Sequence, residues 1–326
     1  MTQMKAGIIG YGYWGKNLVR NFFNSKEFDL KSVADTNPLR IQEINTTYPS
    51  IQTTNNSEEL INDLSLEIII IATPVKTHFE LVKSALINNK HVLVEKPMTP
   101  SFEEAKELVE LAKRQNKYLI IDYTYLYSGA VRKLKEILFN DEFGTLQSIK
   151  SSRLGKGIIR DDVSVFGDLS SHDLAITNYI LDQTPISVKA EMTNMDNDSN
   201  KKKAVMTVYY PNNVKAEFES SWHSSTKERK MLFNSDQHSV LFDDTLDHKK
   251  IEIRDFSTIT HPYYESEESL STLVLDLYHG INNNQPFLSD GRFGLNILKV
   301  LDAAQYSLEN NGETIQLEPT ESLLSI

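Results

Sequence analysis

Residues 7–15 read GIIGYGYWG, with Gly10, Gly12 and Gly15 in GxGxxG spacing where an apolar strand should pass into a helix. Each glycine has a physical reason. Gly10 permits the tight turn, Gly12 lets backbone approach a pyrophosphate, Gly15 lets helix and strand pack closely, and the helix start supplies N–H donors and positive potential. A lone string of this kind is also met in glycine-rich turns that hold no ligand. The pattern after it decides the fold. From Lys5 to about Asp122 the apolar runs KAGIIG, LKSVAD, EIIIIA, HVLVEKP and YLIIDY alternate with longer segments of helical periodicity. That alternation predicts βαβ units and a parallel, doubly wound α/β sheet, and the isoleucines of EIIIIA predict a strand buried on both faces. Helices are expected over 13–24, 38–47, 57–63, 78–88 and 101–115, with Asn37 before Pro38, and Ser101 before Glu103 and Glu104, as helix-entry chemistry.

After Tyr123 the rhythm changes. A helix over 130–139 leads into runs such as LQSIKSSRL, SVKAEMTNM, AVMTVYY, VKAEFESSW and KMLFNS, several of which alternate polar and apolar residues. With hairpin-like connections at NDSNKKK and PNN, this half is expected to be an α+β domain on a largely antiparallel sheet. Further helices are expected over 166–181, 270–282 and 293–307, the last stopped by NNG at Asn310 to Gly312. The division expected is 1–122 for a dinucleotide-binding domain and 123–326 for a substrate and oligomerisation domain.

The 326 residues suit two domains, and the net charge of −11 leaves no basic stripe for nucleic acid. The short KKK at Lys201 to Lys203 is flanked by Asn and Asp. No apolar stretch approaches a membrane span and the first residues run into a strand, so a cytoplasmic protein is expected. The absence of cysteine removes disulfides, thiol nucleophiles and thiolate metal sites.

Asp35 ends the second strand about 20 residues beyond Gly15, where a carboxylate holds the adenosine ribose hydroxyls and repels a 2′-phosphate. NAD is therefore expected over NADP, with Arg40 the residue that argues the other way. Asp35 also reads as a simple cap for the helix at Pro38. Thr73 and Pro74 follow EIIIIA and should border the nicotinamide half. The remaining cofactor-side candidates are Tyr13 and Trp14 of the glycine loop, His78, and Glu95, Lys96 and Pro97 of VEKP. Lys96 would lie at the carboxyl edge of the sheet, where a reacting hydroxyl or carbonyl meets a nicotinamide. Asp168 and His172 are four residues apart in FGDLSSHDLAITNYIL, so on a helix they share one face. A histidine there suits removal of a hydroxyl proton as hydride leaves carbon, with Asp168 orienting it and Lys96 stabilising the oxygen. Spacing alone favours an ordinary helix-surface pair with Asp173 as its solvated neighbour, and the lysine of VEKP reverses that preference. An Asp and a His four apart can also ligate a metal, but the other histidines are scattered singly and no metal is expected.

GIIGYGYWG, VAD, IATP, VEKP and the D-x-x-x-H helix occur in the order of the Gfo/Idh/MocA oxidoreductase family, and SDGRFGLNILKVLDAAQYSLENNG resembles its C-terminal segment. The resemblance covers nearly the whole chain. It implies a Rossmann domain, a second α/β domain whose exposed sheet face forms subunit contacts in a homodimer or homotetramer, and Lys96, Asp168 and His172 as the active-site set. Within the family, YTYLYSGAVRKLKEIL, RLGKGIIRDDVSVFGDLSSHDLAI and SWHSSTKER look most like members acting on nucleotide-linked sugars, including UDP-N-acetylglucosamine and its uronate at C3. By that resemblance Tyr125, Arg153, Lys156, Asp162, Trp222, Lys227 and Arg229, with Lys96, Asp168 and His172, are the substrate-side candidates. Arginine and lysine would meet diphosphate or carboxylate, and tryptophan would stack on a sugar or base. Tyr125 and Trp222 also read as core, and Lys227 and Arg229 as outward residues of a sheet. Where related sequences often carry Gly-His the chain has Asp122 and Tyr123, and where some carry arginine it has Leu126. Two other functions share these parts: NAD-dependent glycoside hydrolysis through transient C3 oxidation, and a regulator that senses a metabolite without turnover.

Overall fold

The computed structural model describes residues 3–156, 163–195, 198–255 and 257–318. The chain divides into two compact units, Met1–Tyr127 with Glu267–Leu295, and Ser128–Ser266 with Asn296–Ile326.

The first unit is built on strands β1 (Met4–Ile9), β2 (Phe28–Ala34), β3 (Gln52–Thr54), β4 (Ile68–Ile71), β5 (His91–Glu95) and β6 (Leu119–Asp122), in the order β3-β2-β1-β4-β5-β6. All neighbours are parallel. The order reverses between β1 and β4, which opens a crevice at the carboxyl ends of the strands beside that point. Ile68 to Ile71 are completely buried, as a strand covered on both faces requires. The intervening helices are α1 (Gly15–Asn24), α2 (Pro38–Thr47), α3 (Ser57–Asn62), α4 (His78–Ile87) and α5 (Phe102–Arg114). Their starts follow the expected chemistry: the Asn37 side chain accepts from Leu39 N and that of Ser101 from Glu104 N, with Glu103 and Glu104 in the first turn of α5 and Lys113 and Arg114 in its last. Polar β3 was not foreseen, because three residues reading QTT carry no apolar signal and become a strand only by pairing with β2.

The linear division expected near residue 122 is drawn differently by the fold. Helix α8 (Ser269–Asn283) belongs to the first unit. It buries Leu270, Leu273, Val274 and Leu277, Tyr278 meets the Phe28 ring edge-on at 5.9 Å, and Glu268 at its start takes both Arg20 guanidinium nitrogens at 2.9 and 2.5 Å. A six-stranded sheet leaves apolar surface beside α1 and β2, and this returning helix covers it.

The second unit holds α6 (Gly129–Leu138), β7 (Leu146–Lys156), α7 (Ser171–Leu181), β8 (Ser187–Met195), β9 (Asp198–Tyr209), β10 (Lys215–Ser221), β11 (His223–Ser235), β12 (Ser239–Asp243), β13 (Ile251–Arg254), β14 (Ile259–Thr260) and β15 (Ile315–Gln316). Helix α9 (Gly291–Glu309) begins in the first unit and continues in this one. The nine strands run β14-β13-β12-β11-β7-β10-β9-β8-β15, antiparallel except for the parallel pair β7 and β10. Alternation fixes one buried face, including Ile149, Phe218, Met206, Val188, Phe233 and Phe242. PNN makes the β9–β10 turn, with Asn212 and Asn213 at φ of 59° and 62°, a backbone that asparagine tolerates. The other expected connection moves: residues 198–203 of NDSNKKK are strand, in register with Met195, Asn194 and Thr193 of β8. Cross-strand pairing overrides the turn propensity of that polar run.

Candidate active site

The loop from β1 into α1 forms a cradle of bare backbone. Gly10 has φ +101° and a Cβ there would lie 2.5 Å from the Ala72 carbonyl oxygen, while a Cβ at Gly15 would lie 2.2 Å from the Gly10 carbonyl oxygen. Both positions therefore require glycine for the fold. Gly12 differs: a Cβ there would meet nothing closer than Arg40 Nη1 at 4.0 Å, so its emptiness is left for something other than protein. Asp35, buried just past β2, accepts the Tyr11 backbone N–H at 2.7 Å and Arg40 Nη1 at 3.3 Å on Oδ2, and the Asn37 N–H at 2.8 Å on Oδ1. An open glycine, a helix start and an adjacent carboxylate fit a dinucleotide's pyrophosphate and ribose. Tyr13 stands 90% exposed beside them. Gly12→Ala is expected to leave urea stability within about 0.5 kcal/mol of the parent and to weaken NADH at least roughly tenfold by fluorescence titration, about 1.4 kcal/mol. Gly10→Ala should lose both, because its backbone conformation itself is strained for any other residue.

Two more loops end at the same edge of this sheet. Thr73 and Pro74 follow β4, and Lys96 and Pro97 follow β5, joined by a cis peptide. His78, at the start of α4, ties the loops together: Nδ1 lies 2.9 Å from the Pro97 carbonyl oxygen and Nε2 2.9 Å from that of Thr73. The ring is 1% exposed, so it shapes both loops from behind instead of offering a surface to cofactor. Thr77 Oγ1 donates to the Pro74 carbonyl at 2.8 Å and so braces the first loop. Trp14 of the glycine loop reaches across to β6, its Nε1 donating to Asp122 Oδ2 at 2.8 Å. Thr124 Oγ1 donates to Asp122 Oδ1 at 2.5 Å, and Glu95 is the strand-register partner of Asp122. Sequence reasoning noticed Asp122 only as a departure from a common Gly-His. Its partnership with Glu95 and Trp14 arises only in the folded sheet, because the three lie far apart in the chain.

In the second unit Asp168 lies in a π-helical turn, Phe166–Ser170, that leads into α7, where His172 is the second residue. One wider turn displaces the residues on either side from ideal α-helical facing, and such turns recur at functional sites. Gly167 makes room for it, since a Cβ there would meet Val163 Cγ2 at 2.7 Å. Ser171 Oγ bonds back to the Gly167 carbonyl at 2.8 Å. Trp222, between β10 and β11, donates Nε1 to Asp168 Oδ2 at 2.9 Å. The structure thus brings together Asp168 and Trp222, with His172 half-buried one turn on.

The cationic candidates part company. Arg153 points into the core: it is 4% exposed, and its Nε lies 3.1 Å from both carboxylate oxygens of Asp173 while Nη2 lies 2.5 Å from Oδ1. Ser151 Oγ completes the cluster at 2.6 Å from Asp173 Oδ2. Alternation along β7 put Arg153 on the same face as Ile149, and Asp173 one residue past His172 is the partner that makes its burial tolerable. A grip on substrate phosphate is therefore the weaker assignment for Arg153. Arg229 is its register partner on β11 and faces Asp244 at 3.8 Å. Lys227 is exposed within the bulge between His223 and Glu228, and Lys156 ends β7 opposite His223. Tyr125 lies half-buried in the first unit, in the 3₁₀ turn Thr124–Tyr127. Asp162 lies outside the described residues.

Fold and cradle together define an α/β protein of the dinucleotide-binding class. The model of the oxidoreductase family with NAD-binding Rossmann fold, Gfo/Idh/MocA, matches residues 4–123, and that of the Gfo/Idh/MocA C-terminal domain matches 131–240. The chain belongs to the Gfo/Idh/MocA family. It is 24% identical to the uncharacterized oxidoreductase YrbE of Bacillus subtilis over 98% of each chain. Glucose-6-phosphate 3-dehydrogenase of the same organism is 32% identical over 58% of this chain and 57% of that protein. UDP-N-acetylglucosamine 3-dehydrogenase of Acidithiobacillus ferrooxidans is 28% identical over 58% of each. The solved structure of this last enzyme superposes with a TM-score of 0.83 at 22% identity, covering 95% of this chain and 99% of that one. Among the described residues no helix is long and apolar enough to cross a membrane.

Proposed function

We propose that this oxidoreductase uses NAD to interconvert a secondary alcohol and a ketone on a sugar, with C3 of a nucleotide-linked sugar as its position of reaction. The observation that carries the reading is Lys96 at the carboxyl end of β5, on the same sheet edge as the glycine cradle. When bound, NAD supplies the nicotinamide that accepts or returns hydride. Lys96 stabilises the oxygen as it gains negative charge. His172 removes the hydroxyl proton in oxidation and returns it in reduction, and Asp168, held by the Trp222 indole, orients it. Asp35 selects NAD by occupying with negative charge the place a 2′-phosphate would need. Support for a sugar comes from the two 3-dehydrogenase relatives. The outward face of the nine-stranded sheet is the surface proposed for a homodimer or homotetramer.

Mass spectrometry of the purified protein, joined to thermal-shift screening, tests this. Retained or stabilising NAD(H) is expected, with further stabilisation by UDP-N-acetylglucosamine or its uronate, about 2.7 kcal/mol for a ligand at 100 times its Kd. Release of free sugar without net NADH would replace the reading by NAD-dependent glycoside hydrolysis. Unchanged biological output from Lys96→Ala and His172→Ala would replace it by a sensor.

A further inference from the structure

We propose that Glu95 and Asp122 form a carboxyl pair that holds one proton and one negative charge between them, with Asp122 the anion that positions Lys96 and the Trp14 loop for reaction. The proposal rests on the reading of Lys96 as a reacting-centre residue. Its geometric basis is the pairing of parallel β5 and β6, which sets the two side chains opposite each other at the strand ends. Asp122 is 2% exposed, and Glu95 Oε1 is sealed from solvent with no hydrogen bond from the described residues.

The placement of the donors assigns the proton. Trp14 Nε1 donates to Asp122 Oδ2 and Thr124 Oγ1 to Asp122 Oδ1, so each oxygen of Asp122 is met by a hydrogen and the negative charge is best held there. Glu95 receives only the Lys96 backbone N–H, at 3.2 Å on Oε2, among the described donors. A sealed carboxylate oxygen with no donor is costly, whereas the carbonyl oxygen of a neutral acid is far less so. Strand pairing sets the two carboxyls beside one another, and two adjacent buried carboxyls are held together most readily with one proton between them. Burial, then the charge of Asp122, raises Glu95 well above the usual carboxyl range, and Lys96 opposes that only in part. Burial first, and then the charges of Asp276, Asp122 and Asp290, also raise the Tyr127 phenol.

The consequence is a connected device. A single negative charge is fixed between the glycine loop and the end of β5, the strand end from which Lys96 follows, and a nearby negative charge favours the ammonium form of a lysine. An indole from the cofactor loop is tied to that same charge, so the position of the loop and the state of Lys96 depend on one group. A glycine at residue 122 would carry neither link.

Two substitutions test it by different readouts. In native capillary electrophoresis near neutral pH, Glu95→Gln is expected to migrate with the parent, because a neutral acid is replaced by a neutral amide; in urea the two should differ by one charge. A one-charge difference in the native proteins would overturn the shared proton. Asp122→Asn, made in the Glu95→Gln background so that Glu95 cannot ionise in its place, keeps the shape and one acceptor oxygen but removes the anion. Its kcat is expected to fall about tenfold, with the alkaline limb of the kcat profile moving to lower pH as the Lys96 ammonium loses its counter-charge. A fall in activity with that limb unmoved would reduce Asp122 to a packing residue and overturn the positioning role. Electrophoresis needs neither cofactor nor substrate, so absence of turnover in the parent would sink the oxidoreductase reading while the charge result still decides the pair.

Discussion

Alanine at Lys96 is expected to lower kcat by about 10²–10³-fold while NADH affinity changes by no more than a few-fold. The loss is that of one preorganised group aimed at developing negative charge in a water-poor site. Because the ammonium acts chiefly on the transition state, kcat and kcat/KM should fall together. Steady-state kinetics with the sugar identified by thermal shift checks this, and a rise in KM alone would make Lys96 an ordinary binding residue. His172→Ala gives the complementary result. A general base contributes roughly 10²–10⁴-fold, and it must be unprotonated to take the hydroxyl proton, so oxidation by the parent should fall on the acid side. In the variant the rate should be low and that acid limb absent.

Arg153→Met is expected to destabilise the protein by about 3–5 kcal/mol, because it strands Asp173 as a buried, unpaired charge. Denaturant unfolding of the second unit measures this directly. The double variant with Asp173→Leu should recover much of the loss, since replacing both partners of a buried pair by apolar groups is often neutral. The same experiment separates two assignments of Arg153. Were it a phosphate clamp, the single variant would raise KM for a nucleotide sugar and leave stability near the parent. Its three contacts with Asp173, the longest 3.1 Å, and its 4% exposure favour the structural outcome.

The lesson from Arg153 generalises to the candidate list. Residue type and resemblance both pointed to an arginine that meets phosphate, and nothing local in RLGKGIIRDD contradicts that. The residue that claims it, Asp173, lies 20 positions away and was read only as a solvated neighbour of His172. His78 was ambiguous in the same way. Its position after IATP suggested the cofactor, whereas burial makes it a strut between the Thr73 and Pro97 carbonyls. Where the sequence stretch carried its own physics, the reading was sound. The β1–α1 turn, the caps at Asn37 and Ser101, and the buried isoleucines of β4 all follow from interactions within a few residues or from periodicity.

What the chain determines by itself, then, is the first unit's winding and its glycine cradle. Backbone freedom at Gly10, helix-entry chemistry and hydrophobic period are short-range properties written in consecutive residues. The alternating runs of the second half similarly dictate a mostly antiparallel sheet. Tertiary structure alone decided that α8 returns to cover the first unit, that QTT and the polar residues 198–203 become strand, and that Arg153 is spent on Asp173. It also decided that Glu95, Asp122 and Trp14 meet. Each of these depends on which distant surface lacks a partner, because the cost of a buried charge or an uncovered apolar face is set by the assembled neighbourhood and not by the local string.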